Sequence, residues 1–132
     1  MRNLVKAALL DAGFSGVYTF PPSARLCSEP IVVTQGPYEC VERADWGDAG
    51  YIECAAIVCR ENPHYAYADA VSVEESLQEW DWSGLEGADR MRIMGLAVGA
   101  AYASGRDSSM RHLAEVQMRF RVVRDHGSQA KS

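Results

Sequence analysis

The spacing of hydrophobic residues changes several times along the chain, and each change marks an element. From Asn3 to Ala12, residues Leu4, Val5, Ala8, Leu9 and Ala12 recur at helical intervals. Asn3 suits the N-cap and Gly13 the position just past the end, so a short amphipathic helix is predicted. Val17–Phe20 reads as extended, and Pro21-Pro22 stops any helix there. In "LCSEPIVVTQ" (Leu26–Gln35) the strand core is Ile31-Val32-Val33-Thr34, with Pro30 restricting its start to an edge or a first position. "GPYECVERADWGDAG" (Gly36–Gly50) is acidic and glycine-bounded, and reads as a long loop or an extended hairpin tip. "YIECAAIVCR" (Tyr51–Arg60) is apolar on both faces apart from Glu53, as in a central strand covered on both sides.

Asn62-Pro63 then opens the clearest helix, a capping residue followed by proline at the first helical position. Ala66, Ala70, Val73, Leu77 and Trp80 form its apolar stripe, and Asp69, Glu74, Glu75, Gln78 and Glu79 occupy the other sides. Trp80 continues the stripe and is expected in the core, whereas Trp46 and Trp82 are expected at an interface. Asp81–Asp89 reads as a connection. Arg90–Ala103 alternates weakly, with Met91, Ile93, Gly95, Ala97, Gly99 and Ala101 on one side and Arg92, Met94, Leu96, Val98 and Tyr102 on the other. Its glycines point to a strand with close neighbours or a bulge. "SGRDSS" (Ser104–Ser109) is turn chemistry. It leads into "MRHLAEVQMRFRVVR" (Met110–Arg124), where apolar residues alternate with Arg111, Glu115, Gln117, Arg119 and Arg121.

The predicted order is helix, two or three strands, helix, terminal β-hairpin. This is an α+β fold, a mostly antiparallel sheet with two helices packed on it. One domain is expected over residues 1–126, followed by a polar tail at 127–132, and no internal repeat is apparent. A chain of 132 residues, 48% of them hydrophobic, can bury a core without disulfides or metal. The longest apolar run, Gly95–Ala103, is about half of what a membrane helix needs, so no membrane partner is expected. Met1–Leu10 is read as a helix and not as a signal peptide.

Charge adds a second observation. Residues 1–89 carry five Lys/Arg and fifteen Asp/Glu, a net −10; residues 90–132 carry eight and three, a net +5. Either the two parts neutralise each other within the fold or the surface is polarised. With a pI near 5.1 and no aromatic-plus-basic motif, a nucleic-acid-binding protein is not indicated. Cys27, Cys40, Cys54 and Cys59 form no CxxC pair and are read as reduced, buried small hydrophobes. No nucleotide, metalloprotease or serine-hydrolase motif occurs, and neither cofactor nor metal is expected. Asp45 and Asp48 flank Trp46, which suits either a general acid beside an apolar wall or a contact loop.

The segment order carries a resemblance. A short helix precedes "FPPSAR" (Phe20–Arg25); a "PIVV" strand follows; an apolar strand ending "IVCR" runs into "HYAYADAVSVEESLQEW"; and two strands join around "GRDSSMR", the last containing "MRFRVV". In this the chain resembles the tail terminator proteins of long-tailed, non-contractile (siphovirus-type) bacteriophages. The resemblance implies a non-enzymatic ring, usually of six subunits, in the tail or neck of a virion and in the host cytoplasm during assembly. Such a ring caps the tail tube, ends tail elongation and joins the head-completion (stopper) protein, and genome DNA passes its channel without specific binding. The expected subunit or partner interface is Arg106, Asp107, Arg111, Arg119 and Arg121 on the terminal hairpin, Glu42, Asp45, Trp46 and Asp48 in the acidic loop, and Glu75, Glu79 and Trp82 on or after the acidic helix. The alternatives are another head–tail joining or minor capsid protein, or a small α+β enzyme or ligand-binding domain using the Asp45-Trp46-Asp48 loop.

Overall fold

The computed structural model describes residues 1–82, 85–86 and 91–125. In chain order the elements are α1 (Arg2–Asp11), β1 (Val17–Tyr18), β2 (Ile31–Gln35), β3 (Glu39–Ala44), β4 (Gly47–Arg60), α2 (Pro63–Glu79), β5 (Met91–Val98), β6 (Tyr102–Arg106) and β7 (His112–Asp125). The strands form one sheet in the order β1-β2-β4-β7-β5, with β3 also on β4 and β6 also on β7. Only the β1–β2 pairing is parallel. The α+β class expected from the pattern is the class observed.

Two long strands form the middle. β4 and β7 pair antiparallel without a break, from Gly47 opposite Asp125 to Arg60 opposite His112. β2 and β3 lie end to end along the outer edge of β4, and β5 and β6 lie end to end along the outer edge of β7. Period-two alternation then sorts the side chains. Ile52, Cys54, Ala56 and Val58 of β4 and Ala114, Val116, Met118, Phe120 and Val122 of β7 share one buried face with Ile31 and Val33. Val5, Ala8 and Leu9 of α1 and Ala66, Ala70, Val73 and Leu77 of α2 close over it. Asn62 caps α2 as expected, its side-chain oxygen accepting from the His64 N–H at 2.9 Å.

Several expectations change. Gly36–Gly50 is a hairpin, with β4 starting at Gly47 rather than Tyr51. The glycines here permit pairing: a Cβ on Gly50 would sit 2.0 Å from the Glu39 carbonyl oxygen, and Gly47 has φ of 152° against the Arg124 carbonyl. Trp82, expected at an interface, lies in the core, and Trp80, expected in the core, packs against it half-buried. α2 stops at Glu79 and Trp80 is an extended C-cap, so the chain turns back beneath the helix. Trp82 is therefore 7% exposed, edge-on to Phe120 at 5.2 Å, with its indole N–H donating to Leu77 O at 2.8 Å. Trp80 is half-buried.

In β5 a bulge between Ile93 and Gly95 reverses the alternation. Met91 and Ile93 face the core before it, and Leu96 and Val98 pack toward the core after it, instead of lying opposite Ile93. β6 continues through Arg106, with a second bulge between Ala103 and Gly105, so the turn is confined to 107–111 and Met110 takes a φ of 64°. All four cysteines are free; Cys54 and Cys59 are buried but Cys27 and Cys40 only half-buried. The polar tail expected at 127–132 lies outside the described residues, as does part of the 81–89 connection.

Gly50→Ala is expected to lower the unfolding free energy by about 2 kcal/mol or more, because its methyl meets backbone that cannot move without breaking the β3–β4 ladder. Gly99→Ala, whose methyl would stand 3.4 Å from Gln117 O, is expected to be far milder. Urea unfolding of the two variants checks the contrast.

Candidate functional site

The second face of the sheet holds the residues that alternate with the core. Tyr51, Glu53, Ala55 and Ile57 of β4 stand beside Glu115, Gln117, Arg119 and Arg121 of β7. One end is closed by the segment before β2: Cys59 N–H donates to Pro30 O at 3.0 Å, Arg60 to Glu29 O at 2.7 Å, and Arg111 to Ser28 O at 2.9 Å. Both helices pack on the opposite face.

The open part is hollowed at two places. A depression of about 460 Å³ lies at its centre, lined by Thr34, Glu53, Ala55, Ala97, Gln117 and Arg119 among others. It falls where both outer strands are interrupted: Gly36 N–H donates to Glu53 O and Gly99 N–H to Gln117 O, each at 2.8 Å. A second depression of about 510 Å³ lies toward the β3–β4 turn, lined by Val41, Glu42, Trp46, Tyr51, Arg121 and Val123. Trp46 is 46% exposed and Val41, at the β3 bulge, 60%. The Arg119 guanidinium sits 4.0 Å from the centroid of the Tyr51 ring, a cation–π contact. Exposed Trp and Arg with a half-buried Tyr around a small apolar patch, rimmed by charge, is the composition of a protein-binding hot spot.

Of the residues expected at an interface, Glu42, Trp46, Arg119 and Arg121 converge on this face. Asp45 is exposed in the adjoining turn. Asp48 is not a loop carboxylate. It points to the core side, is 0% exposed, and accepts from the Tyr38 hydroxyl at 2.6 Å and from Arg124 at 3.0 Å. Asp45 and Asp48 therefore do not act as a pair around Trp46. Burial, then the bond to Asp48, pushes the Tyr38 phenol well above its ordinary pKa. Glu75 and Glu79 are exposed on α2, on the far side of the molecule, and Trp82 is in the core. Arg106 is exposed at the end of β6.

Asp107 and Arg111 satisfy each other in the β6–β7 turn, with Nε to Oδ2 at 2.7 Å. The Asp107 carboxylate also accepts from the Ser109 and Arg111 N–H groups. Its partial burial raises the pKa, but these donors outweigh that and hold it below the usual value. Ion pairs among the described residues join Arg60 to Asp69, Arg111 to Asp107 and Arg124 to Asp48. Internal neutralisation of the basic strand thus operates at Arg124 and not at Arg119 or Arg121. Tyr51, Val41 and Val123 were not expected here; the strand register, which pairs Tyr51 with Arg121, is the signal that links them.

Among the described residues, no group of three or more His, Cys, Asp or Glu is placed to hold a metal ion, and no helix is long and apolar enough to cross a membrane. No family model matches the chain, and no curated protein matches it. A solved structure does. The chain is similar to one in the virion of the native gene transfer agent (GTA) particle, with a TM-score of 0.54 and 22% identity over 88% of this chain and 84% of that one. The two share a fold.

Asp48→Ala is expected to cost about 2–4 kcal/mol by leaving the Arg124 charge and the Tyr38 hydroxyl without their shared acceptor. Arg121→Ala should leave stability unchanged, and urea unfolding separates the two. Because the folded-state pKa of Asp107 is depressed, its contribution is complete at neutral pH and fades as pH falls below about 4. The stability gap between the parent chain and Asp107→Asn should therefore narrow from pH 7 to pH 3.

Proposed function

We propose that this chain is a structural, non-enzymatic protein of a phage-like particle, and more finely the tail terminator: the ring, of about six subunits, that closes the tail tube and joins it to the head-completion protein. The observation that carries this reading is the shared fold with a chain of the gene transfer agent virion, which extends over most of both chains. Resemblance to the terminator class in segment order supplies the finer role.

The surface fits such work. A ring subunit must present two different faces that complement each other around the circle, and this molecule has an open strand face with Arg119 and Arg121 and a helix face with Glu75 and Glu79. A channel that DNA must leave again is best lined by surplus acid, because arginine would hold the phosphate backbone. The arginines therefore face protein neighbours. An enzyme built on the Asp45-Trp46-Asp48 loop is disfavoured, since Asp48 is committed to Arg124 and Tyr38.

A tag placed after Ser132, followed by negative-stain imaging of labelled particles, tests this reading. One band of label at the junction of head and tail is the expected result. Label spread over the capsid would replace the terminator with a minor capsid role, and particles without label would remove the virion assignment altogether.

A further inference from the structure

We infer that the open face of the sheet is filled by helix α2 of a second copy of this chain, with Arg119 and Arg121 meeting Glu75 and Glu79 of that copy. The inference rests on the reading of the chain as an assembly subunit and names the contact that reading leaves open.

Shape is the first argument. β4 and β7, at about 3.3 Å per residue, make the face roughly 45 Å long, and its four strand widths make it about 19 Å across. The end toward Pro30 is closed, and the open remainder is long enough to take the roughly 25 Å of the 17-residue helix α2. The face is concave at its centre, where the glycine interruptions of both outer strands leave the 460 Å³ depression. A flat partner would leave this hollow unfilled, whereas a helix is convex.

The outward stripe of α2 has the matching profile. Tyr65, Ala68, Ser72, Glu75 and Glu79 follow each other at intervals of three and four, opposite the buried stripe, and all are exposed. Its middle is small, and the Ser72 hydroxyl is already turned back to Ala68 O at 3.2 Å. Its C-terminal end is acidic, and none of the ion pairs among the described residues uses Glu75 or Glu79. Spacings agree as well. Ser72 lies about 10 Å along the helix from Glu79. The hollow at Gln117 lies about 13 Å along β7 from Arg121. With acid on arginine, the Ser72 turn of the helix therefore falls over the hollow, which the helix backbone can approach closely because its side chains there are short.

The two surfaces are on opposite faces of the protomer, so the contact is head-to-tail and repeats from copy to copy, as a ring requires. Acid at Glu75 and Glu79 would also steer the approach in a salt-dependent way.

The test is charge reversal read by native mass spectrometry and sedimentation velocity on the purified full chain, with circular dichroism as the folding control. The parent chain is expected to associate beyond the dimer, more strongly at low salt. Arg119→Glu with Arg121→Glu, and separately Glu75→Arg with Glu79→Arg, are each expected to weaken association at least tenfold. Joining all four changes in one chain should restore it, and so should an equimolar mixture of the two double variants, because each sheet face then meets a helix of opposite charge. If the double variants associate as well as the parent, the named contact is wrong while a ring remains possible. If the parent stays monomeric up to about 100 μM, a second copy is not the occupant; the particle label then judges the ring reading by itself.

Discussion

Everything in this fold depends on the register of β4 against β7. Fourteen residues pair with fourteen without a bulge, and that ladder decides which side chains are core and which are surface. A slip of one residue in either strand would send its core residues, Ile52 and Cys54 or Met118 and Phe120, into water and bring Glu53 or Arg119 under the helices. Two devices at the Gly47 end oppose such a slip. Gly47 and Gly50 allow backbone approaches that any other residue would block. Asp48, fully buried, and Arg124, one-third exposed, face each other across the ladder as an ion pair that this register places directly opposite. Such a half-buried pair contributes modest net stability but penalises alternatives, since a shifted register takes the arginine away from the buried Asp48 carboxylate.

Around that ladder the chain carries out the same construction twice. A helix, an outer strand broken at a glycine, a bulge, a tight turn and a long central strand occur as α1-β2-β3-β4 and again as α2-β5-β6-β7, with β1 added to the first half. The breaks match: Gly36 and Gly99 each donate to the middle of the neighbouring long strand. The bulges match too, at Val41 and at Ser104. Side-chain identities do not follow the repeat, because each half packs a different helix against a different width of sheet. Bulges and short outer strands also make the sheet edges poor templates for further strand pairing.

What could be read from the residues depended on how local its cause was. α1, α2 and β7 were legible because periodicity lies within each segment; Asn62-Pro63 and the alternation from Ala114 to Val122 need no distant partner, although Asn3, expected to cap α1, lies inside a helix that begins at Arg2 after Met1 and has no side-chain cap. The β3–β4 hairpin was only half legible, since the reason Asp48 can sit in a buried strand is Arg124, 76 positions away. β5 was assigned the wrong phase after Ile93: its glycines pointed to a bulge, but only the pairing with β7 places it between Ile93 and Gly95. The tryptophans were misassigned because the extended C-cap at Trp80, which turns Trp82 inward, is set by Phe120 and not by the helix pattern. For the candidate site, the outward arginines, Glu42 and Trp46 followed from alternation and residue type, whereas Tyr51 and Val41 joined them only once the pairing was known.

The uneven distribution of charge has the same structural root. Where the basic strand runs beside the acidic hairpin on the core side, acid and arginine neutralise each other, and the result is register. Three and five residues earlier, on the other face, Arg121 and Arg119 have Tyr51 and Glu53 as neighbours and remain exposed. A two-layer α+β protein always leaves the second face of its sheet to be dealt with, by polar residues or by a third layer. Here the face is neither polar throughout nor covered. It is concave, with Trp46, Tyr51 and Val41 beside free arginine charge, while the helix layer turns acid outward. In the contact proposed above, helix α2 of a second copy is what completes this third layer.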